Sequence, residues 1–302
     1  VFHIYILGIL YGIAAGFYWL AFNTLSFDFT GINNRDTFNG LNGSCCGVTA
    51  AIAPATSGYI ISKFSGIKGY TIVFTITLCM FLSLILISTL LKCKNYGNKL
   101  EFKKVILRNC DEWSDIRKAT FFWGFRDVII VFLVNILIIE TTKSELTLGK
   151  LTLIASLLSS ISFVLVQKII KPPHRRVSIY IGAIGAFLAV LSLGLNITYI
   201  NLLVYVMMNG FFLPFFVIQL TSATFNVINR AHEESMRVEY MINREIVLNG
   251  GRAISASMLV FMLLEFKESS VLQFYLIFIG FIAIVSGYFL GKLKNVLKGE
   301  KT

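Results

Sequence analysis

Charge is what this sequence has least of. Only 14% of its 302 residues are Asp, Glu, Lys or Arg, against about 25% in a soluble domain. With 56% hydrophobic residues and a mean hydropathy of +0.76, the composition excludes a soluble globular protein and is that of a polytopic membrane protein. Histidine is nearly absent. His3, His174 and His232 are scattered and make no metal site. The five cysteines, Cys45, Cys46, Cys79, Cys93 and Cys110, contain no C-x-x-C pair and read as free packing thiols. There is no H-E-x-x-H, no paired-aspartate motif and no P-loop, so catalytic residues, metals and cofactors have nothing to rest on. A start methionine, a charged n-region and a small-residue cleavage site are also lacking. Val1 opens directly in an apolar helix, which argues against a signal peptide and leads to the expectation of further residues upstream.

What is present is apolar sequence in lengths that fit a bilayer. A helix needs about 20 apolar residues to cross. Nine stretches supply them: 3–24, 43–62, 69–91, 120–141, 147–168, 177–195, 198–220, 247–265 and 271–291. The expected fold is therefore all-α, a polytopic helix bundle. One long polar interruption, 92–118, divides three spans from six. Its Lys92, Lys94, Lys99, Lys103, Lys104, Arg108, Arg117 and Lys118 outweigh Glu101, Asp111, Glu112 and Asp115. Such an excess of Lys and Arg marks a cytoplasmic segment.

The same side receives Arg35, Lys168, Lys171, Arg175, Arg176, Arg230, Arg237, Arg244, Arg252 and the tail from Lys292. The other side holds only Lys63, Lys68, Lys143, Lys150 and Lys267. This bias supports nine alternating spans, with Val1 outside and Thr302 in the cytoplasm. The net charge of +11 thus sits in connections, where it sets topology and meets anionic headgroups. The expected partner is the lipid bilayer and not nucleic acid. Leu100, Phe102, Val105, Ile106 and Trp113 suit an amphipathic helix lying on the membrane, and Tyr5 and Trp113 suit interface anchors. Frequent Lys, Ile and Asn fit an AT-rich genome and a bacterial plasma membrane.

A weak internal repeat is visible. Gly16-Phe17-Tyr18-Trp19-Leu20-Ala21-Phe22 aligns with Gly210-Phe211-Phe212-Leu213-Pro214-Phe215-Phe216. The connections that follow carry Ile32-Asn33-Asn34-Arg35 and Ile228-Asn229-Arg230, and each leads to a glycine-containing helix start. Parallel repeats of this kind are common in transporters. A second pattern is Thr49-Ala50-Ala51-Ile52-Ala53-Pro54-Ala55-Thr56-Ser57-Gly58. Small residues permit close helix approach, and a proline inside the helix removes one backbone hydrogen bond and bends it.

This run resembles the glycine-proline signature of the fifth helix in efflux members of the major facilitator superfamily. Pro54 and Gly58 match. Thr49, Ala53 and Ser57 stand where the signature has glycine. The resemblance implies two six-helix halves joined by a cytoplasmic loop. Residues 1–91 would be a partial first half holding the family's helices four to six. Residues 92–118 would be the loop, and 119–302 a complete second half with a cytoplasmic tail. The first three helices are expected to be absent from this sequence. Gly12-Ile13-Ala14-Ala15-Gly16 would be the Gly-rich end of helix four, but Gly8 falls where proton-coupled members carry arginine. The run 168–176 keeps the charge of the family's second-half basic turn without its Gly and Asp.

Ionisable groups within a span are costly and are functional candidates. Arg126 and Asp127 lie inside the fourth span, about two turns from its cytoplasmic end, from which Arg126 is expected to snorkel. Neighbours on a helix point about 100° apart, so the two need not pair. Asp127 is the candidate proton acceptor, and Arg126 a candidate anion holder or gate lock. Arg252, at an inner helix start, is expected to contact Asp28 or Asp36 as a gate or to anchor on headgroups. The resemblance places Tyr11, Tyr18, Trp19, Asn135 and Asn209 on cavity-lining helices, where aromatic walls with a few amides suit an amphipathic organic solute. The expected protein is not an enzyme. It is a monomeric secondary transporter that moves a small solute by alternating access, with proton-coupled export as the favoured direction. Solute uptake, lipid export, a non-transporting remnant and an integral membrane enzyme are the alternatives.

Overall fold

In a computed structural model, residues 2–64, 66–92, 94, 96, 99–107, 111–143, 145–265 and 269–298 are described; Val1, Cys93, Arg108, Cys110, Lys267 and Thr302, named above, lie outside them. Among the described residues the fold is all-α. In order it forms α1 (Phe2–Phe29), α2 (Arg35–Lys63), α3 (Lys68–Ser88), the short α4 (Phe102–Leu107), α5 (Asp111–Thr142), α6 (Glu145–Ile169), α7 (Arg175–Leu195), α8 (Tyr199–Arg230), α9 (Arg237–Glu265), α10 (Ser269–Gly291) and the short α11 (Lys294–Lys298). Among the described residues, nine helices are long and apolar enough to cross a bilayer. Their exposed surfaces are dominated by side chains such as Leu84, Leu86, Phe74 and Phe274, which hydrocarbon solvates and water does not.

The helices run past the apolar stretches at one end, the end rich in Lys and Arg. α1 continues to Phe29, α2 starts at Arg35, α8 continues to Arg230 and α9 starts at Arg237. Hydropathy does not register these turns because they carry polar residues. They are helical because their polar side chains pair with one another between helices. The connection between α8 and α9 is therefore short, with one 3-10 turn at Glu234–Met236. At the opposite end, α8 is capped by Thr198, whose hydroxyl accepts from the Asn201 amide at 3.3 Å.

Helices α5 to α10 pack into one group. α5 lies against α9 and α10, with α8 behind it; α7 sits between α8 and α10, and α6 follows α8. The α5–α9 approach is set by two glycines. A Cβ on Gly124 would run into the Leu248 carbonyl, and one on Gly251 into the Phe121 carbonyl. α2 lies along α6, α3 packs on α2, and α1 reaches α9 through its last turns.

Two expectations need correction here. Trp113 is not an interface anchor. It is fully buried, its indole donates to Asn243 Oδ1 at 3.2 Å, and its ring meets Tyr240 edge-on at 4.5 Å. Val105 of α4 is buried as well, because α4 rests on α9. The second concerns the helix-five run. Thr49, Ala53, Pro54 and Gly58 are exposed, Ser57 is half-buried, and nothing lies near Gly58. The close approach falls one face away, on Gly40, Gly43 and Gly47, which meet Gln167, Phe163, Ser156 and Ser160 of α6. Ala51, one turn further on, is buried. Spacing of three and four residues puts these on one side of α2.

Candidate functional site

A cavity of about 680 Å³ lies between α1 and α2 on one side and α5, α6, α8 and α9 on the other. Its volume is that of a small-molecule site. Trp19 and Phe22 come from α1, Asn42 and Gly47 from α2, Trp123, Ile130 and Asn135 from α5, and Tyr205 and Asn209 from α8. The wall is apolar and aromatic with a few amides. Of the aromatic residues expected there, Trp19 lines the cavity. Tyr11 and Tyr18 do not: both are exposed, and Tyr18 packs edge-on against Trp19 at 5.3 Å.

Arg126 does not snorkel. It is 1% exposed, because Trp123 and Asn209 hold its head within the protein. Nη2 donates to Asn209 Oδ1 at 2.7 Å, and the guanidinium lies 5.2 Å from the Trp123 ring centroid. Its Nε has no hydrogen-bond partner. Asp127 turns the other way, as two adjacent helix positions do, and accepts from Arg252 Nη2 at 2.8 Å. Arg252 therefore meets neither Asp28 nor Asp36. It also donates to Asn249 Oδ1 at 3.3 Å and lines the cavity beside Arg244 and Glu245.

The two carboxylates expected for Arg252 have other partners. Asp28 takes Arg237, with Nε 2.6 Å from Oδ1 and Nη2 donating to Oδ2 at 2.9 Å. Asp36 takes Arg175, whose Nε donates to Oδ2 at 2.8 Å. Around them, Arg35 donates from Nη1 to Asn226 Oδ1 at 2.5 Å and from Nη2 to Asn229 Oδ1 at 2.6 Å, while Phe27 and Phe225 flank its guanidinium. The two repeated connections thus meet, Arg35 of one bonding Asn229 of the other. Asn39 donates to Ser222 at 2.9 Å, and Asn23 to Glu245 at 3.1 Å.

All these contacts join α1 and α2 to α7, α8 or α9, and all lie at the basic end. Away from it, α1 from Tyr5 to Trp19 and α2 from Ile52 to Pro54 are almost wholly exposed. Asn23, Asn39, Tyr205, Arg244 and Glu245 were not singled out by sequence. Asn23 and Asn39 flank a polar turn, and Arg244 and Glu245 belong to an alternating charge run. Only the residues across from them give either feature a meaning.

Comparison with known proteins agrees with this architecture. A family model described as Major Facilitator Superfamily matches residues 1–241. An uncharacterized protein of Bacillus subtilis (strain 168), YqgE, is 32% identical over 266 residues, covering 87% of this chain and 62% of its own length. An uncharacterized protein of Geobacillus stearothermophilus, from the sodM 3' region, is 49% identical over 72 residues, covering 24% of this chain and 34% of its own length. The chain spans less than two thirds of the length of either relative.

Proposed function

The chain belongs to the major facilitator superfamily, a family of transporters and not of enzymes, and from that premise we propose a secondary transporter that exports a small amphipathic solute in exchange for protons. The observation that carries this reading is the cavity's position. It lies between α1 and α2 on one side and α5, α6, α8 and α9 on the other, with ion pairs between the two at the basic end and α2 seated on α6. Rocking one group on the other would break those contacts and expose the cavity from the basic side. The basic end faces the cytoplasm of a bacterial plasma membrane, and the protein acts as a monomer.

Asp127 is the proposed proton carrier. It is paired with Arg252, which lines the cavity, and its side chain is partly exposed. Protonation would remove the charge that holds Arg252, so proton binding and the shape of the cavity floor are linked. Trp19, Asn135 and Asn209 are the proposed solute contacts, and the bridges of Asp28 and Asp36 the proposed gate.

The test is transport by the full-length protein in proteoliposomes under an imposed proton gradient. The panel holds amphipathic cations, neutral compounds and anions, with Asp127→Asn in parallel. Gradient-dependent movement that collapses in the variant is the expected result. Movement that persists in Asp127→Asn removes that residue as the coupler. Movement of no panel member by folded protein overturns the transport reading.

A further inference from the structure

Among the described residues, Arg126 is a buried cation with no carboxylate in salt-bridge contact. A guanidinium carries five N–H donors. Here one is spent on a neutral amide oxygen and Nε is unpaired. The neighbouring carboxylate, Asp127, is engaged by Arg252 at 2.8 Å. The other carboxylate at the cavity, Glu245, takes Arg244 at 2.8 Å and Asn23 at 3.1 Å. An unpaired charge inside a membrane protein is among the most costly arrangements a sequence can keep, and such residues mark ligand paths.

Arg126 sits directly behind the cavity wall: it is buried, and its hydrogen-bond partner Asn209 lines the cavity. Trp123, Ile130, Val134 and Ile138 line the cavity from α5. Arg126 lies next to that face, its guanidinium 5.2 Å from the Trp123 ring centroid. Across from it, Tyr205 and Asn209 line the cavity from α8. Asn209 accepts from Arg126 through Oδ1, so its Nδ2 donors remain for a ligand. Asn209 thus presents N–H groups at the cavity with the Arg126 charge directly behind it, and Trp123, Tyr205, Ile130 and Val134 offer an apolar surface next to them.

We propose that Asn209, with the Arg126 charge behind it, docks the anionic head of the transported solute, with its apolar body against Trp123 and Tyr205. The cavity then selects amphipathic anions, such as organic sulfonates or carboxylates, over cations of the same size. This rests on the transport reading above and narrows its substrate class.

The test uses three probes of one shape: naphthalene-2-sulfonate, naphthalene-2-sulfonamide and 2-naphthylmethylammonium. Thermal stabilisation of the purified full-length protein is titrated with each, in wild type, Arg126→Gln, Arg126→Lys and Asn209→Ala. The sulfonate is expected to stabilise wild type at concentrations where the other two do nothing. Its binding should weaken by about tenfold or more in Arg126→Gln, a loss expected for a charge-assisted contact. Arg126→Lys should retain part of the effect. If Arg126→Gln does not fold, Asn209→Ala, which removes the paired donor, carries the comparison. Equal shifts from the three probes, no shift from the sulfonate, or a sulfonate shift that survives both Arg126→Gln and Asn209→Ala overturns the assignment. The transport reading fails separately, when no compound of the wider panel moves. Gradient-driven movement of cations alone would keep the transporter and discard the anion site.

Discussion

Arg252 on α9 holds Asp127 on α5 at 2.8 Å, and both helices belong to the same packed group. The pair therefore does not span the two sides of the cavity. It can persist however α1 and α2 sit, and its proposed role rests on protonation, not on rocking.

Because the pair is about one third exposed (side chains 35% and 27%), its worth to stability is that of a half-wet ion pair, at most about 1 kcal/mol. Asp127→Asn should shift the melting temperature by no more than a few degrees while removing gradient dependence. A large loss of stability would show the pair to be structural.

The Asp28–Arg237 pair should behave differently. Its side chains are only 3% and 6% exposed, and removing one partner of a buried pair costs about 3–5 kcal/mol. Asp28→Asn should therefore open the basic end. Spin labels at Asn33→Cys and His232→Cys, both exposed positions, should move apart in Asp28→Asn. The exchange Asp28→Arg with Arg237→Asp should bring them back. Unchanged distances in Asp28→Asn would remove the pair from the gate.

The seam between α2 and α6 can be probed by size alone. Gly43→Leu and Gly47→Leu must displace Phe163 or the backbone at Ser156, and overpacking costs about 1–3 kcal/mol. Gly58→Leu meets open space and should stay within about 0.5 kcal/mol of wild type. Chemical denaturation in detergent reads the difference. Equal losses at Gly43 and Gly58 would contradict the packing described.

Trp113→Ala should cost about 3–5 kcal/mol, as for deletion of a buried aromatic, and leave Asn243 without its indole donor. Tyr5→Ala, at an exposed site, should change melting by far less. A neutral Trp113→Ala would restore the membrane-anchor reading for that residue.

The nine spans were legible because hydropathy is a property of a single stretch and needs no knowledge of neighbours. Arg126 and Asp127 stood out for the same reason, as charges in apolar surroundings. Their directions were not legible. Whether Arg126 snorkels or turns inward is decided by Asn209, 83 residues away, and by the Trp123 ring. The partner of Arg252 was misjudged because Asp28, Asp36 and Asp127 offer the same chemistry, and only helix packing chooses among them. The helix-five run pointed to the right family, but which face of it packs was not legible. Its small residues match a known pattern, yet the face that approaches α6 is fixed by where α6 lies, and that selects Gly40, Gly43 and Gly47.

That seam also has a mechanical meaning. The close approach of α2 to α6 falls on Gly40, Gly43 and Gly47, in the half of α2 nearer the basic end. From Gly47 to Lys63 the helix runs on for about 24 Å, at about 1.5 Å per residue. With α3 packed on its far part, this stretch would act as a lever if α2 turned about the glycine contacts. A rotation of about 10° at the pivot would carry the Lys63 end through about 4 Å, while the side chains at the pivot shift far less. Large excursions at the far end thus require only small adjustments in the glycine contacts, and substitutions at the pivot would act on the whole stroke.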